Sequence, residues 1–470
     1  MSAIEKLGRR RILFLNWRDL SNPAAGGAET YTEEIARRFA DAGARLTLFT
    51  SKYQGAEPYD WANRYLVVRQ GGRFGVYLAA ARYLKKHGQH YDAIVDFQNG
   101  IPFFSPLWSR PKVAVVCIIH HVHQKQFDMY FRWPFNHFAR LLEGRVSRYV
   151  YRRRPLVAVS PSTRAEMHHQ LGLHGQTYII PNGIDLPLSS RVARSTSPTI
   201  AVVTRHVPQK RLHLIVEAIP DLLRRWPDLR VHIAGTGPTR ETLISRVREL
   251  GLEQVIILPG RISEQTKTDL LGGAWLTIAP SLAEGWGLTV LEANAVGTPA
   301  VAFDVPGLRD SVRDEVTGWL VPSGQNLGPA LARALEELSD PERQRTISQA
   351  CLRWAHRFSW DACADRLASV LLSEIARREL DSPSRRSPVQ LATVAWWPPD
   401  EGNEIAELIR KTLRVTDVVR CTSDGLWALL LGCDELGAIT ALQRVPLRPA
   451  QLRLATTTDL LCAASEEIPW

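Results

Sequence analysis

The sequence predicts an α/β protein of two Rossmann-like domains facing across a cleft, followed by a small α+β segment. Three observations predict it. Short apolar runs of buried-strand length alternate with amphipathic helical stretches. The alternation starts afresh near residue 200. Polar, Ser- and Pro-rich stretches at 189–198 and 381–388 punctuate the chain. Strands that alternate with helices form a parallel sheet covered on both faces. The expected organisation is a first domain over 1–188, a second over 189–358, a helix at about 359–380 returning to the first, a linker at 381–388 and a module over 389–470.

Arg11 to Leu15 is apolar after its first residue and reads as a buried strand. Glu29 to Ala42 places Ile35, Phe39 and Ala40 on one side of a helix. Further strands are expected at Leu46–Thr50, Ala93–Asp96, Val113–Ile119 and Val157–Ser160. The second series has strands at Ile200–Val203, Leu229–Ala234, Val255–Leu258, Leu276–Ala279 and Ala300–Phe303. Helices lie between them at about Arg211–Trp226 and Glu241–Leu250. Helical pattern returns at Asp361–Leu380. The module then offers a strand at Leu391–Trp397, a helix at Glu404–Leu413 and a strand at Leu426–Leu431.

Length and composition bound the function. The 470 residues are more than one core holds, and 45% hydrophobic with 23% charged residues is ordinary for a globular protein. Six cysteines at 117, 351, 363, 421, 433 and 462 form no CxxC pair, which argues against structural zinc and a disulfide framework. Reduced thiols and the absence of an apolar run near the ~20 residues of a membrane span predict a cytoplasmic chain. A formal charge of +10 favours anionic partners. Between Arg132 and Arg154 seven arginines stand against one glutamate, and aromatic residues are interleaved from Met129 onward. Residues 129–154 therefore read either as an anionic-membrane surface or as a helix packed by its aromatics with a solvated basic face. No nucleic-acid-binding motif accompanies the charge.

Four stretches carry chemistry. Pro280 to Pro299 holds Glu284 in a loop after a strand and Glu292 on the following helix. Gly285 and Gly287 keep that loop open to a ligand, and a helix start offers unpaired N–H groups to an anion. The two carboxylates suit sugar and ribose hydroxyls; alone, they equally fit surface glutamates flanking a helix start. Arg205 and Lys210, five apart around Pro208, suit a diphosphate or a solvated basic turn. Gly26 and Gly27 precede a helix and let the backbone approach a phosphate or sugar, without the GxGxxG spacing of dinucleotide binders. His120, His121 and His123 end a strand, where they meet a sugar, line the cleft or serve the structure. No carboxylate stands beside them in sequence to complete a metal site.

Together these pieces resemble family 4 glycosyltransferases, retaining enzymes of GT-B architecture, over about residues 10–378. The resemblance rests on GGAE at 26–29, PNGID at 181–185, TRHVPQKR at 204–211, HIAGTGP at 232–238 and LPGRIS at 258–263. It continues with PSLAEGWGLTVLEANAVGTPAVA at 280–302 and TGWLVP at 317–322. It implies that Arg205 and Lys210 hold the donor diphosphate, Glu284 faces the donor sugar and Glu292 binds ribose. Gly27 and Gly235 lie near the donor, Arg261 and Ile262 near the base, and Gly285, Trp286, Gly287 and Leu288 along the donor loop. His120 is the strand-end histidine, or His121 if the register slips by one; Gly26 and His121 are expected on the acceptor side. Trp286 stands where the family usually has Phe. The implied chemistry is front-side displacement of a sugar from a nucleotide-diphosphate sugar, with no covalent intermediate, no cofactor and no metal. The basic stretch points to an acceptor glycan or glycolipid.

In the module, Arg414, Asp417 and Arg420 followed by an apolar strand resemble a GGDEF domain. The signature reads Thr422-Ser-Asp-Gly-Leu426, without paired glycines or the acidic residue after the Asp, so a degenerate, non-cyclase module is expected. Two rivals to a transferase remain open: a nucleotide-sugar epimerase of the same fold and a non-catalytic nucleotide-sugar sensor.

Overall fold

The computed structural model describes residues 2–379, apart from Asn63, Lys125 and 187–189, and residues 392–455, apart from 414–416, Gly432 and Asp434. The expected linker at 381–388 and Arg414 of the GGDEF-like pattern lie outside the described residues.

The first domain carries an eight-stranded sheet. Its strands are β1 (Arg11–Leu15), β2 (Arg45–Thr50), β3 (Tyr59–Ala62), β4 (Tyr65–Arg69), β5 (Ala93–Asn99), β6 (Ala114–His121), β7 (Leu156–Ala158) and β8 (Thr177–Ile179), in the order β3-β4-β2-β1-β5-β6-β7-β8. All pairs are parallel except β3 with β4. Alternate residues of β1 feed two cores, Ile12 and Phe14 one and Leu13 and Leu15 the other, as a strand covered on both faces must. The hairpin β3–β4 and strand β8 were not expected from the sequence. β3 is an exposed edge, so no apolar run marks it.

The second domain has β9 (Thr199–Val203), β10 (Arg230–Ala234), β11 (Ile256–Gly260), β12 (Thr277–Ala279), β13 (Ala300–Asp304) and β14 (Gly318–Pro322). The order is β11-β10-β9 and β12-β13-β14, and a parallel bridge from Ile200 to Leu276 joins β9 to β12. This is the doubly wound order 3-2-1-4-5-6. Its direction reverses between β9 and β12, and ligands of such sheets bind outside the carboxyl ends of the strands at that point. The first sheet reverses between β1 and β5.

Two chain passages join the domains side by side. Ile184 N–H donates to Phe358 O at 2.9 Å, and a methyl carbon added at Gly183 would lie 2.3 Å from Trp360 N. The helix Trp360–Glu379 then packs on the first domain, with Trp360, Ala364, Leu367 and Leu371 in its core.

Beyond it, β15 (Ala392–Trp397), β16 (Val418–Thr422), β17 (Gly425–Leu431) and β18 (Gln451–Leu454) form an antiparallel sheet in the order β16-β17-β15-β18. Helix Pro399–Thr412 and helix Glu435–Ala441 cover one face over Trp397, Ile409 and Leu426. Ser423 and Asp424 form the tight turn between β16 and β17.

Candidate active site

The site is built where the two reversal points face each other. After β12 the chain runs through Pro280 to Gly287 and enters helix Leu288–Ala295. Gly287 takes φ +83°, which starts the helix from the left-handed region glycine favours. After β1, the loop 16–26 leads into helix Gly27–Asp41. Gly26 N–H donates to the Glu29 carboxylate at 2.7 Å, closing that helix start. A methyl carbon at Gly27 would lie 3.2 Å from the Leu288 side chain. Two helix N-termini thus converge at the cleft, and both direct partial positive charge and N–H groups toward one place.

Formal positive charge is added there. Lys210 Nζ forms an ion pair with Glu284, whose Oε1 also accepts from Ser281 Oγ at 2.7 Å. Both side chains line a cavity with Thr204, Ser281 and Thr289 at the β9 and β12 ends. Arg205 reaches across the cleft. Its Nη1 donates to Ala24 O at 3.4 Å, and its guanidinium lies 3.1 Å from where a Gly26 side chain would begin. The sequence predicts that Arg205 and Lys210 converge on one diphosphate. Lys210 instead pairs with Glu284, and Arg205 donates to the 24–26 loop.

Glu292 is half-buried on helix Leu288–Ala295 and pairs with Lys267 of helix Glu264–Gly273, Nζ to Oε1 2.9 Å. Burial pushes the Glu292 carboxyl up and Lys267 opposes it. Burial alone would lower the Lys267 ammonium, but Glu292 and Glu264 raise it on balance. Lys267 was missed in the sequence, whose only signal is the Glu264–Lys267 spacing of three. Its loss lets Glu292 take up a proton at higher pH, which makes the carboxyl a poorer acceptor for the ribose hydroxyls that the sequence expects there. In Lys267→Met, nucleotide affinity is expected to fall with decreasing pH, with a midpoint above that of the wild type. Calorimetric titration across pH checks this; superimposable profiles would contradict it.

The other expected donor residues divide. Gly235 (φ +131°) is forced by packing: a methyl carbon there would lie 1.8 Å from Thr204 O. Arg261 is exposed and Ile262 half-buried just past β11. Gly285 meets the first domain, since a methyl carbon there would lie 2.1 Å from His120 O. The Trp286 side chain corrects the expectation of a donor contact. It is buried with Val159, Ile184 and Leu291 and lies edge-on to Phe358 at 5.1 Å, so it joins the domains and offers the cleft no indole face.

Alternation along β6 separates the histidines. His120 stacks on Phe97 at 5.9 Å and meets Tyr31 edge-on at 4.9 Å, and its Nε2 is buried without a protein partner among the described residues. His121 Nε2 lies 2.6 Å from the Gln126 amide nitrogen, and its ring is within electrostatic reach of Lys210. Burial, then His123, lowers both to about 3, so both are neutral near pH 7. The expectation that no carboxylate stands by this cluster is corrected. Glu143, distant in sequence, accepts from His123 N–H at 2.7 Å and lies 3.6 Å from its Nδ1. Among the described residues, no group of three or more His, Cys, Asp or Glu gathers to hold a metal.

The arrangement suits a nucleoside-diphosphate ester. Residues 25–187 match the model described as Glycosyltransferase Family 4, and residues 189–353 match Glycosyl transferases group 1. This is a glycosyltransferase of the GT-B fold. The transferase is 28% identical over 371 residues to a GDP-mannose-dependent alpha-(1-6)-phosphatidylinositol monomannoside mannosyltransferase of Mycolicibacterium smegmatis, covering 74% of this chain and 95% of that one. Among solved structures, sucrose-phosphate synthase from Thermosynechococcus elongatus superposes with a TM-score of 0.65 at 20% identity, over 78% of this chain and 100% of that one. Anabaena HepE in complex with UDP and glucose gives 0.58 at 20% identity, over 78% and 100%. The matched glycosyltransferase regions place the transferase in the nucleotide-sugar class.

Proposed function

We propose that the chain is a retaining, metal-independent hexosyltransferase acting on a lipid-linked or polysaccharide acceptor at the inner face of a membrane. One observation carries the donor side of this reading. Lys210 and Glu284 line one cavity with Thr289 of helix Leu288–Ala295, while Arg205 reaches the 24–26 loop and the start of helix Gly27–Asp41 lies against Leu288. Such a focus of positive charge stabilises a departing nucleoside diphosphate without a cation. Glu284 accepts hydroxyls of the sugar and Glu292 those of the ribose. Arg261 and Ile262 flank the base. The neutral His120 and His121 offer hydrogen bonds rather than charge. Proton relay from protein is not required, since a donor phosphate oxygen can take the acceptor proton; the protein positions and stabilises.

The acceptor side rests on residues 127–151. Trp133, Phe135 and Phe138 are 76%, 67% and 59% exposed, beside exposed Arg132, Arg145, Arg148 and Arg152. Among the described side chains of this stretch, Phe127 and Tyr151 are the aromatics that are fully packed. Of the two readings of the stretch, this favours a surface that enters an anionic headgroup layer. The mannosyltransferase relative, whose name places its acceptor on phosphatidylinositol, supports the same class. No helix among the described residues is long and apolar enough to cross a membrane. The module is read as a degenerate, non-catalytic GGDEF-like unit, supported by the Ser423–Asp424 turn at the signature position.

Thermal stabilisation across a panel of nucleotide sugars, followed by product analysis, tests the activity. Sugar recovered on a second molecule supports transfer; an isomerised donor alone would mean an epimerase, and tight binding without turnover a sensor. For the membrane surface, the chain is expected to sediment with vesicles containing phosphatidylglycerol at low salt. Trp133→Ala/Phe135→Ala/Phe138→Ala should lose that binding by about tenfold or more. Equal sedimentation of the triple variant would contradict it.

A further inference from the structure

Three guanidinium groups of the cleft mouth have no assigned task beyond the donor reading. Asn16 follows β1 directly and is fully buried. Its side chain donates to Thr32 Oγ1 at 2.8 Å and accepts from Trp17 N–H and the Asn99 amide at 2.8 Å each. That fixes Trp17, whose Nε1 donates to Arg73 O at 2.8 Å and so ties the loop to the start of helix Gly72–His87. Arg18 lies over the Trp17 ring at 4.2 Å and donates through Nη1 to Ala24 O, the same carbonyl that accepts from Arg205. Two guanidinium groups therefore share one neutral acceptor.

Arg73 completes the group: it is within electrostatic reach of Arg18 and lies over the Phe74 ring at 5.2 Å. Burial lowers the Arg18 guanidinium. Glu29 opposes that, and Arg205 and Arg73 add to it. Glu29 is committed to capping Gly26 N–H, so it does not form an ion pair with Arg18. Among the described residues, no carboxylate lies within ion-pair distance of Arg18, Arg73 or Arg205. Arg18 is half-buried while Arg73 and Arg205 are exposed at the surface, and such a concentration of like charge is relieved by a multivalent anion.

We propose that Arg18 and Arg73 form a phosphate-binding subsite for the acceptor, bordering the donor diphosphate site at Arg205. It rests on the transferase reading and adds the acceptor's chemical class: a phosphate ester. The exposed Phe74 ring stands 6.4 Å from Phe131, at the head of the basic aromatic stretch. An apolar strip thus leads from the subsite toward the exposed aromatic surface, and the same phosphate chemistry serves a lipid headgroup or a soluble phosphate ester.

The test titrates inorganic phosphate into the full chain saturated with UDP or GDP, whichever binds more tightly, by calorimetry. One further phosphate is expected to bind the wild type. Arg18→Gln and Arg73→Gln should each weaken it by about tenfold, while Arg110→Gln, outside the cluster, leaves it unchanged. Retained nucleotide affinity in the variants shows that they fold. No phosphate binding by the saturated wild type, or full binding by Arg18→Gln, would overturn the proposal. If neither nucleotide binds the wild type, the transferase reading fails instead, and the phosphate titration on the free chain still decides the subsite. Competition by glycerol 3-phosphate and by phosphatidylinositol vesicles separates the two sources: the better competitor names which phosphate the site takes.

Discussion

Lys210→Ala is expected to lower kcat by about two to three orders of magnitude, in line with the loss of one preorganised stabiliser of developing charge. The leaving nucleoside diphosphate gains negative charge as the glycosidic bond breaks, and Lys210 is the ammonium lining the cavity proposed to hold it. It pairs with Glu284. The pair makes a second, opposite expectation. Glu284→Gln removes the competing carboxylate, so nucleoside diphosphate should bind at least as tightly as to the wild type, while sugar transfer falls. A Lys210→Ala enzyme with wild-type turnover would refute the leaving-group role. Glu284→Gln with weakened nucleotide binding would refute the competition.

Gly285→Ala is expected to cost about two orders of magnitude in kcat/KM with little change in Tm. Its added carbon would lie 2.1 Å from the His120 carbonyl, far inside van der Waals contact. That carbonyl belongs to β6 of the opposite domain, so the strain is relieved by moving the lobes apart rather than by unfolding either. Parting them displaces the donor loop from His120, His121 and the 24–26 loop, and misplacement of about 1 Å costs about 10²-fold in rate. Thr163 Oγ1, which donates to Gly285 O at 3.3 Å, should lose that bond. Steady-state kinetics with thermal unfolding checks both halves; an inactive variant with a collapsed Tm would mean that the contact is structural.

The fold was legible because its signals are local. Buried parallel strands such as β1, β6 and β9 carry unbroken apolar runs, and the restart near residue 200 repeats one supersecondary pattern. The missed strands are an exposed edge (β3), its partner β4 and short runs at β8 and β14, where tertiary pairing rather than composition decides. At the site, positions on loops after β9 and β12 were legible because strand ends and glycines mark them. What could not be read was which side chains meet across sequence distance. Glu143 reaches His123 only because helices fold it back, and Lys267 reaches Glu292 from a neighbouring helix. Trp286 looked like part of the donor loop because its glycine neighbours are. Its own side chain turns into the seam between domains, where an aromatic ring gains more from burial than at a wet cleft. Arg18 and Arg73 carry no motif in sequence; Trp17, which lies under the Arg18 guanidinium and donates to Arg73 O, brings them together.

The most direct measurement is a crystal structure of the full chain with UDP or GDP bound. The account predicts the diphosphate at the cleft, within hydrogen-bond reach of Lys210 and Arg205 and over the starts of helices Gly27–Asp41 and Leu288–Ala295, with the ribose on Glu292 and Lys210 withdrawn from Glu284. A nucleotide seated elsewhere, or one that leaves the Lys210–Glu284 pair intact, would contradict it.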